Sequence, residues 1–208
     1  MIRQGDTIIL EDQDLVWAKV KPNAIIPTKD EENMGRDIYA CFEEDYILIP
    51  PHTTKSIPTG LACAVTPDYG IRLRDRGSNG SKGIHVNAGS VDSSYRGEIF
   101  VAWDNTNGRE VLLSKLSFDE ILEKYGSTDK YGELEIPVNP NEPLGEKYWI
   151  MTAEDDFDLS PIVYPYNKAI AQAEVVYVPK KTDIEISYED LLKIPSKRGT
   201  GCLGSSGK

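Results

Sequence analysis

The sequence predicts an all-β domain, a sandwich or barrel, interrupted by one or two short helices. Two observations carry this. Many short apolar runs follow one another at close spacing, separated by Gly, Pro, Asn and Asp, which suits hairpins rather than βαβ units. Helix-capping signatures occur at only two places. The length, 208 residues, accommodates one well-packed domain with an insertion, or two small domains.

In chain order, the candidate strands are Leu15–Val20, Ile38–Phe42, Tyr46–Ile49, Thr54–Ile57, Leu61–Val65 and Ile71–Leu73, then Ile84–Val86, Glu98–Trp103, Ile162–Tyr164 and Ala169–Val178. Glu98–Trp103 is almost continuously apolar, so it is expected to be buried on both faces. Ser117-Phe118-Asp119-Glu120 is a capping box ahead of Ile121 and Leu122. It predicts a helix over Ser117–Tyr125, stopped by Gly126. Ser187-Tyr188-Glu189-Asp190 predicts a second short helix that Pro195 ends.

Two stretches differ from this pattern. Residues Thr106–Ser160 hold 13 acids against 5 bases, −8 of the chain's −11, with Pro137, Pro140 and Pro143 among them. They are expected to form an acidic insertion between two core strands, or a long solvated loop with one helix. Residues Arg198–Lys208 are rich in Gly and Ser and read as a flexible tail.

Charge and composition exclude several functions. A net charge of −11 without a basic stripe argues against direct nucleic-acid binding. No apolar run approaches the ~18 residues of a membrane span, and the first residues lack the apolar stretch of a secretory signal. The chain is therefore expected to be cytoplasmic. Cys41, Cys63 and Cys202 are widely spaced, and His52 and His85 are the only histidines, so neither disulfides nor structural zinc are indicated.

Three segments carry chemistry. In Met34–Ala40, Asp37 enters a strand shortly after Gly35. In Arg74–Gly83, three basic side chains, two serines and three glycines fall within ten residues, a composition that suits a phosphate nest or a polar hairpin loop. In Asn87–Gly97, Asp92 and Tyr95 lie three apart between Gly89 and Gly97. Asp92 there can serve as a general base or as an ordinary turn residue. The tail is not expected to be a Walker A loop, because Cys202 stands where glycine is needed.

In this order, these segments resemble the motifs of the trimeric dUTPase family, in the phage or bacterial form with an insertion between motifs three and four. Met34–Ala40 resembles motif one, Arg76–Gly83 motif two, Gly89–Glu98 motif three, Lys168–Gln172 motif four and Arg198–Gly207 motif five. Motif three is the closest match. The resemblance covers roughly Val16–Asn105 and Val163–Lys208, treated as one dUTPase domain over 1–208.

The resemblance implies a jelly-roll-like β subunit, a homotrimer with sites between chains, and Mg²⁺-assisted hydrolysis of dUTP to dUMP and pyrophosphate. Asp92 corresponds to the general base, and Tyr95 to the residue beneath the deoxyribose. Asn87 and Gly89 belong to the hairpin that reads uracil. Arg76, Gly77, Ser78 and Gln172 correspond to the phosphate-binding set. Arg198, Leu203, Gly204 and Ser205 belong to a tail that closes over the ligand. Asp37 corresponds to a residue that supports the metal–water network or orients an arginine. Two departures stand out: Gly77 replaces the family's usual serine, which bears on speed, and Leu203 replaces its phenylalanine, which forfeits stacking on uracil. The acidic segment 106–160 is expected either to dock a basic regulatory protein partner or to form a structural flap over the trimer's edge. Two alternatives stay open, a bifunctional dCTP deaminase–dUTPase and a catalytically weak dUTP sensor that acts through its insertion.

Overall fold

The computed structural model describes residues 1–150 and 160–196. Met1–Val178 and Pro179–Lys208 are separate compact units. The first unit opens with β1 (Ile2–Gln4), β2 (Thr7–Ile9), β3 (Val16–Lys19), β4 (Arg36–Ile38), β5 (Tyr46–Ile49) and β6 (Thr53–Pro58). It continues with β7 (Leu61–Ala64), β8 (Tyr69–Arg74), α1 (Gly77–Gly80), β9 (Ile84–Asn87), β10 (Ser90–Val91) and β11 (Phe100–Asn105). Then come β12 (Val111–Ser114), α2 (Phe118–Tyr125), β13 (Ser127–Thr128), β14 (Leu134–Pro137), β15 (Lys147–Trp149), β16 (Ile162–Pro165) and β17 (Ala171–Tyr177). The second unit holds α3 (Tyr188–Leu192), capped by the Ser187 hydroxyl, which accepts from the Asp190 amide.

The fold is all-β, as expected. Its core is built from sheets ordered β10-β8-β17-β4, β6-β11-β9, β16-β12-β5 and β3-β7. All strand pairs among the described residues are antiparallel except β12 with β16. Inward side chains of these strands, including Ile38, Ile57, Leu73, Val101, Trp103 and Leu113, form one apolar core. Alternation along a strand sends successive residues to opposite faces. Thus Ile49, Val111 and Leu113 face this main core, while Tyr46, Leu48 and Leu112 face a second cluster with Ile121, Ile136 and Ile150.

That second cluster revises the picture of 106–160. The segment is not uniform, because Val111–Ser114 is a core strand, buried on both faces and hydrogen-bonded to β5 and β16. Its run of three apolar residues resembles any short apolar stretch, and only the partners on either side identify it as central. Beyond it, α2 and the small sheet β13-β14-β15 pack on the outer face of β5 and β12. The Tyr46 hydroxyl donates to Pro137 O (2.6 Å), and Asp45 accepts from Lys124 Nζ (2.6 Å) and the Tyr125 hydroxyl (2.9 Å).

Other expectations shift in register. The Ile38–Phe42 strand is β4, which ends at Ile38. The chain then leaves the ladder, and Cys41 N bonds to Pro58 O instead (2.8 Å). Glu98–Trp103 begins only at Phe100, because Glu98 accepts from Gly60 N and Ile99 N donates to Leu61 O across a turn. Nor is β11 buried on both faces: Val101 and Trp103 point inward, while Phe100 on the opposite face is 48% exposed. The apolar composition of that outer face hid the period of two.

Candidate active site

Two cavities gather the expected site residues, and both depend on how β8 ends. Past Arg74 the chain turns at Asp75, whose carboxylate accepts from Val86 N (2.6 Å) and faces His85 Nδ1 (3.0 Å). This fixes the root of the loop. Arg76 then occupies the N-cap position of α1, a single helical turn where the sequence suggests a nest or hairpin loop.

The first cavity, about 480 Å³, is lined by Asp37, Tyr39, Arg76, Ser78, Lys82 and Lys168, among others. Strand register makes the central cluster: Gln172 on β17 lies opposite Asp37 on β4 and Arg74 on β8. Arg76 Nε lies 3.2 Å from Asp37 Oδ1, and Nη2 donates to Oδ2 at 3.5 Å. Gln172 Nε2 donates to Asp37 Oδ1 at 3.4 Å. The Nε contact is an ion pair without hydrogen-bond alignment, so this buried N–H has no acceptor. Through these contacts Asp37 holds the guanidinium at the wall of a cavity whose other basic lining residues are Lys82 and Lys168, a set that suits an anion.

The second cavity, about 260 Å³, is lined by Leu73, Ser90, Asp92, Tyr95 and Phe100, among others. Its wall is the hairpin 87–97. Gly89 is pressed against β8, where a Cβ would fall 2.2 Å from Leu73 O, so no other residue fits without moving the strand. Leu73 N donates to Gly89 O (2.7 Å), which pins the hairpin. Asp92 O accepts from Tyr95 N in a turn, leaving the Asp92 carboxylate exposed and without a hydrogen-bond donor among the described residues. The Tyr95 hydroxyl donates to Glu98 O (2.9 Å). Its ring rests over Gly97, where a Cβ would meet the hydroxyl oxygen at 2.5 Å.

The structure thus brings Asp37, Arg76 and Gln172 together, with Ser78 in the same cavity, and Asp92 with Tyr95 in another. The two cavities have no lining residue in common. Gln172 touches Asp37 from behind the lining, and it, Gly89, Asn87 and Gly77 line neither cavity. Asn87 ends β9 with its amide 3.4 Å from Thr54 Oγ1, and Gly77 is the exposed first residue of α1. Arg198, Leu203, Gly204 and Ser205 lie outside the described residues. Sequence reading did not single out Tyr39, Lys82 and Lys168, which sit in the quoted segments, or Phe100, which lies outside them.

For Mg²⁺ the donor set is informative. Among the described residues, no group of three carboxylate, histidine or cysteine side chains could hold an ion, and Asp37 is already engaged by Arg76 and Gln172. This set does not cage a metal. It is compatible with an ion carried mainly on phosphate oxygens and waters, as Mg²⁺ usually is.

A dUTPase family model matches residues 21–116, which takes in β12. The deoxyuridine 5′-triphosphate nucleotidohydrolase of Leptospira interrogans is 32% identical over 99 residues, covering 46% of this chain and 68% of that one. Its counterpart in Wolinella succinogenes is 33% identical over 119 residues, covering 50% and 78%. The dUTPase of Staphylococcus bacteriophage 80alpha, solved with dUPNHPP, shares the fold with a TM-score of 0.58 at 19% identity, over 94% of this chain and 99% of that one. Together with the hairpin at Asp92 and the Arg76 cluster, these matches show that the chain belongs to the dUTPase family.

Proposed function

We propose that the protein hydrolyses dUTP to dUMP and pyrophosphate, in active sites built between the chains of a homotrimer. The observation that carries this reading is the Arg76 guanidinium, held by Asp37 at the wall of a cavity also lined by Lys82 and Lys168. Such a set suits a polyphosphate. Asp92 and Arg76 open into different cavities of one chain, which supports a site completed by a neighbour's half.

In this mechanism Asp92 takes a proton from water as the water oxygen attacks the α-phosphorus. The bond from that phosphorus to the α,β-bridging oxygen breaks, and pyrophosphate leaves with the electron pair. Tyr95 lies under the deoxyribose, where a 2′-hydroxyl would collide. The hairpin at Asn87 and Gly89 reads the uracil edge, and cytosine would leave its polar groups unpaired. Arg76, Ser78, the Gly77 amide and Gln172 hold the phosphates, while Asp37 orients Arg76. Arg198, Gly204 and Ser205 close over the far end, with Leu203 against the base. When bound, Mg²⁺ neutralises phosphate charge and orients the chain for attack, so chelation by EDTA should abolish turnover.

The test is product analysis with Mg²⁺ and each of dUTP, dCTP, dTTP and UTP. Only dUTP should be consumed, and Asp92→Asn should lose about 10²–10⁴ of the rate. Ammonia released from dCTP would point to a bifunctional deaminase instead, and intact dUTP to a sensor.

A second role has its own observation. Tyr131 and Trp149 are 76% and 62% exposed within the acidic segment, an arrangement suited to a basic protein partner. Trp149→Ala should leave hydrolysis intact while weakening any such complex. Unchanged binding of every captured partner would remove the segment as the docking face.

A further inference from the structure

We propose that Asn79 and Tyr164 are positioning residues, which set the Arg76 guanidinium through a buried polar lock, given the reading of the site above. Asn79 is 1% exposed and polar in an apolar surround. Its Nδ2 donates to Ile170 O (3.1 Å), and its Oδ1 lies 2.9 Å from the Tyr164 hydroxyl. That hydroxyl also lies 2.6 Å from Ala169 O, the carbonyl to which Arg76 Nη1 donates at 3.5 Å. Trp103 Nε1 donates to Ile170 O and its ring meets Tyr164 edge-on at 4.9 Å, which closes the set.

The geometry makes this more than packing. A four-residue helix cannot hold its own conformation, since one turn does not recover the cost of nucleation. Asn79 ties α1 to the turn before β17, and Tyr164 fixes the carbonyl against which Arg76 rests. An apolar side chain could fill the Asn79 position, but it could not bond Ile170 O. The lock therefore determines where Arg76 stands relative to the phosphates, and it leaves the Asp92 hairpin untouched.

Binding probes that carry the nucleoside, the phosphates or both separate positioning from general destabilisation. With the full-length protein, Tyr164→Phe and Asn79→Leu would be measured with dUMP, with inorganic pyrophosphate and with α,β-imido-dUTP, alongside dUTP turnover. We expect kcat/KM to fall about 10–100-fold. Affinity for pyrophosphate and imido-dUTP should fall with it, while dUMP affinity stays at the wild-type value. Because the lock acts through Arg76, Tyr164→Phe in an Arg76→Ala background should cause no further loss of pyrophosphate affinity. Equal losses for dUMP and pyrophosphate, or additive losses with Arg76→Ala, would overturn the proposal in favour of a purely structural role, as would unchanged pyrophosphate binding in both variants. If the wild type neither cleaves dUTP nor binds imido-dUTP, the reading of the site itself fails and the inference falls with it.

Discussion

At Gly77 the family's usual serine is missing, yet the structure leaves room for one. A Cβ there would meet nothing within 4 Å, and the backbone is outside the left-handed region, so a side chain brings no strain. Removing a single donor from a transition-state site costs about 10²–10³ in rate, so restoring one should act in the opposite sense. Gly77→Ser is expected to raise kcat for dUTP about tenfold or more, with little change in melting temperature. Steady-state kinetics beside a thermal melt checks this, and an unchanged kcat would mean that Ser78 or the Gly77 amide already fills the role. Arg76 and Asp37 could be named from sequence as motif residues. Their pairing comes from the register of β4, β8 and β17.

Among the elements, α2 follows most directly from local chemistry. Ser117 and Glu120 form a reciprocal capping box, with Ser117 N donating to Glu120 Oε2 (2.7 Å) and Glu120 N to Ser117 Oγ (3.3 Å). What holds the helix to the core is Ile121, fully buried in the second cluster. Ile121→Ala should destabilise the protein by about 2–5 kcal/mol. It should leave dUTP turnover near the wild-type rate, because Ile121 lines neither cavity of the site. Denaturant titration and kinetics together would test both halves.

Two carboxylates near this interface respond to pH in opposite senses. Hydrogen bonds from Lys124 and Tyr125 hold Asp45 below the usual aspartate range, so its contribution is present above that range and is lost as pH falls through the lowered value. Burial raises Glu110 above the usual glutamate range, although the Tyr148 hydroxyl partly offsets this. Its favourable state is therefore the protonated one, present at low pH and lost as pH rises through the raised value. Glu110→Gln should raise the melting temperature at pH 8, and the gain should shrink towards pH 4. A gain independent of pH would show that the charge at Glu110 is not the cause.

For the whole molecule, the separation of Asp92 from Arg76 makes a sharp prediction. If each site takes its hairpin from one chain and its phosphate cluster from another, two inactive variants can complement. Asp92→Asn and Arg76→Ala, unfolded together and refolded at equal concentration, should recover on the order of a quarter of wild-type activity through mixed trimers. No recovery, with mixed trimers confirmed by mass, would place both halves of each site on one chain.

The sequence by itself determined the all-β class, the helix at Ser117, the dUTPase motifs and their order, because strand period, capping and glycine-bracketed loops are written locally. The tertiary structure decided which short apolar runs are central. Val111–Ser114 looks like part of an acidic insertion until β5 and β16 flank it, and Phe100 looks buried until its face of β11 is seen to be open. It also decided that Asn79, in sequence one more polar residue of a glycine-rich loop, is buried against Tyr164. These outcomes depend on partners far apart in the chain, and burial follows from those partners rather than from a residue's own neighbours.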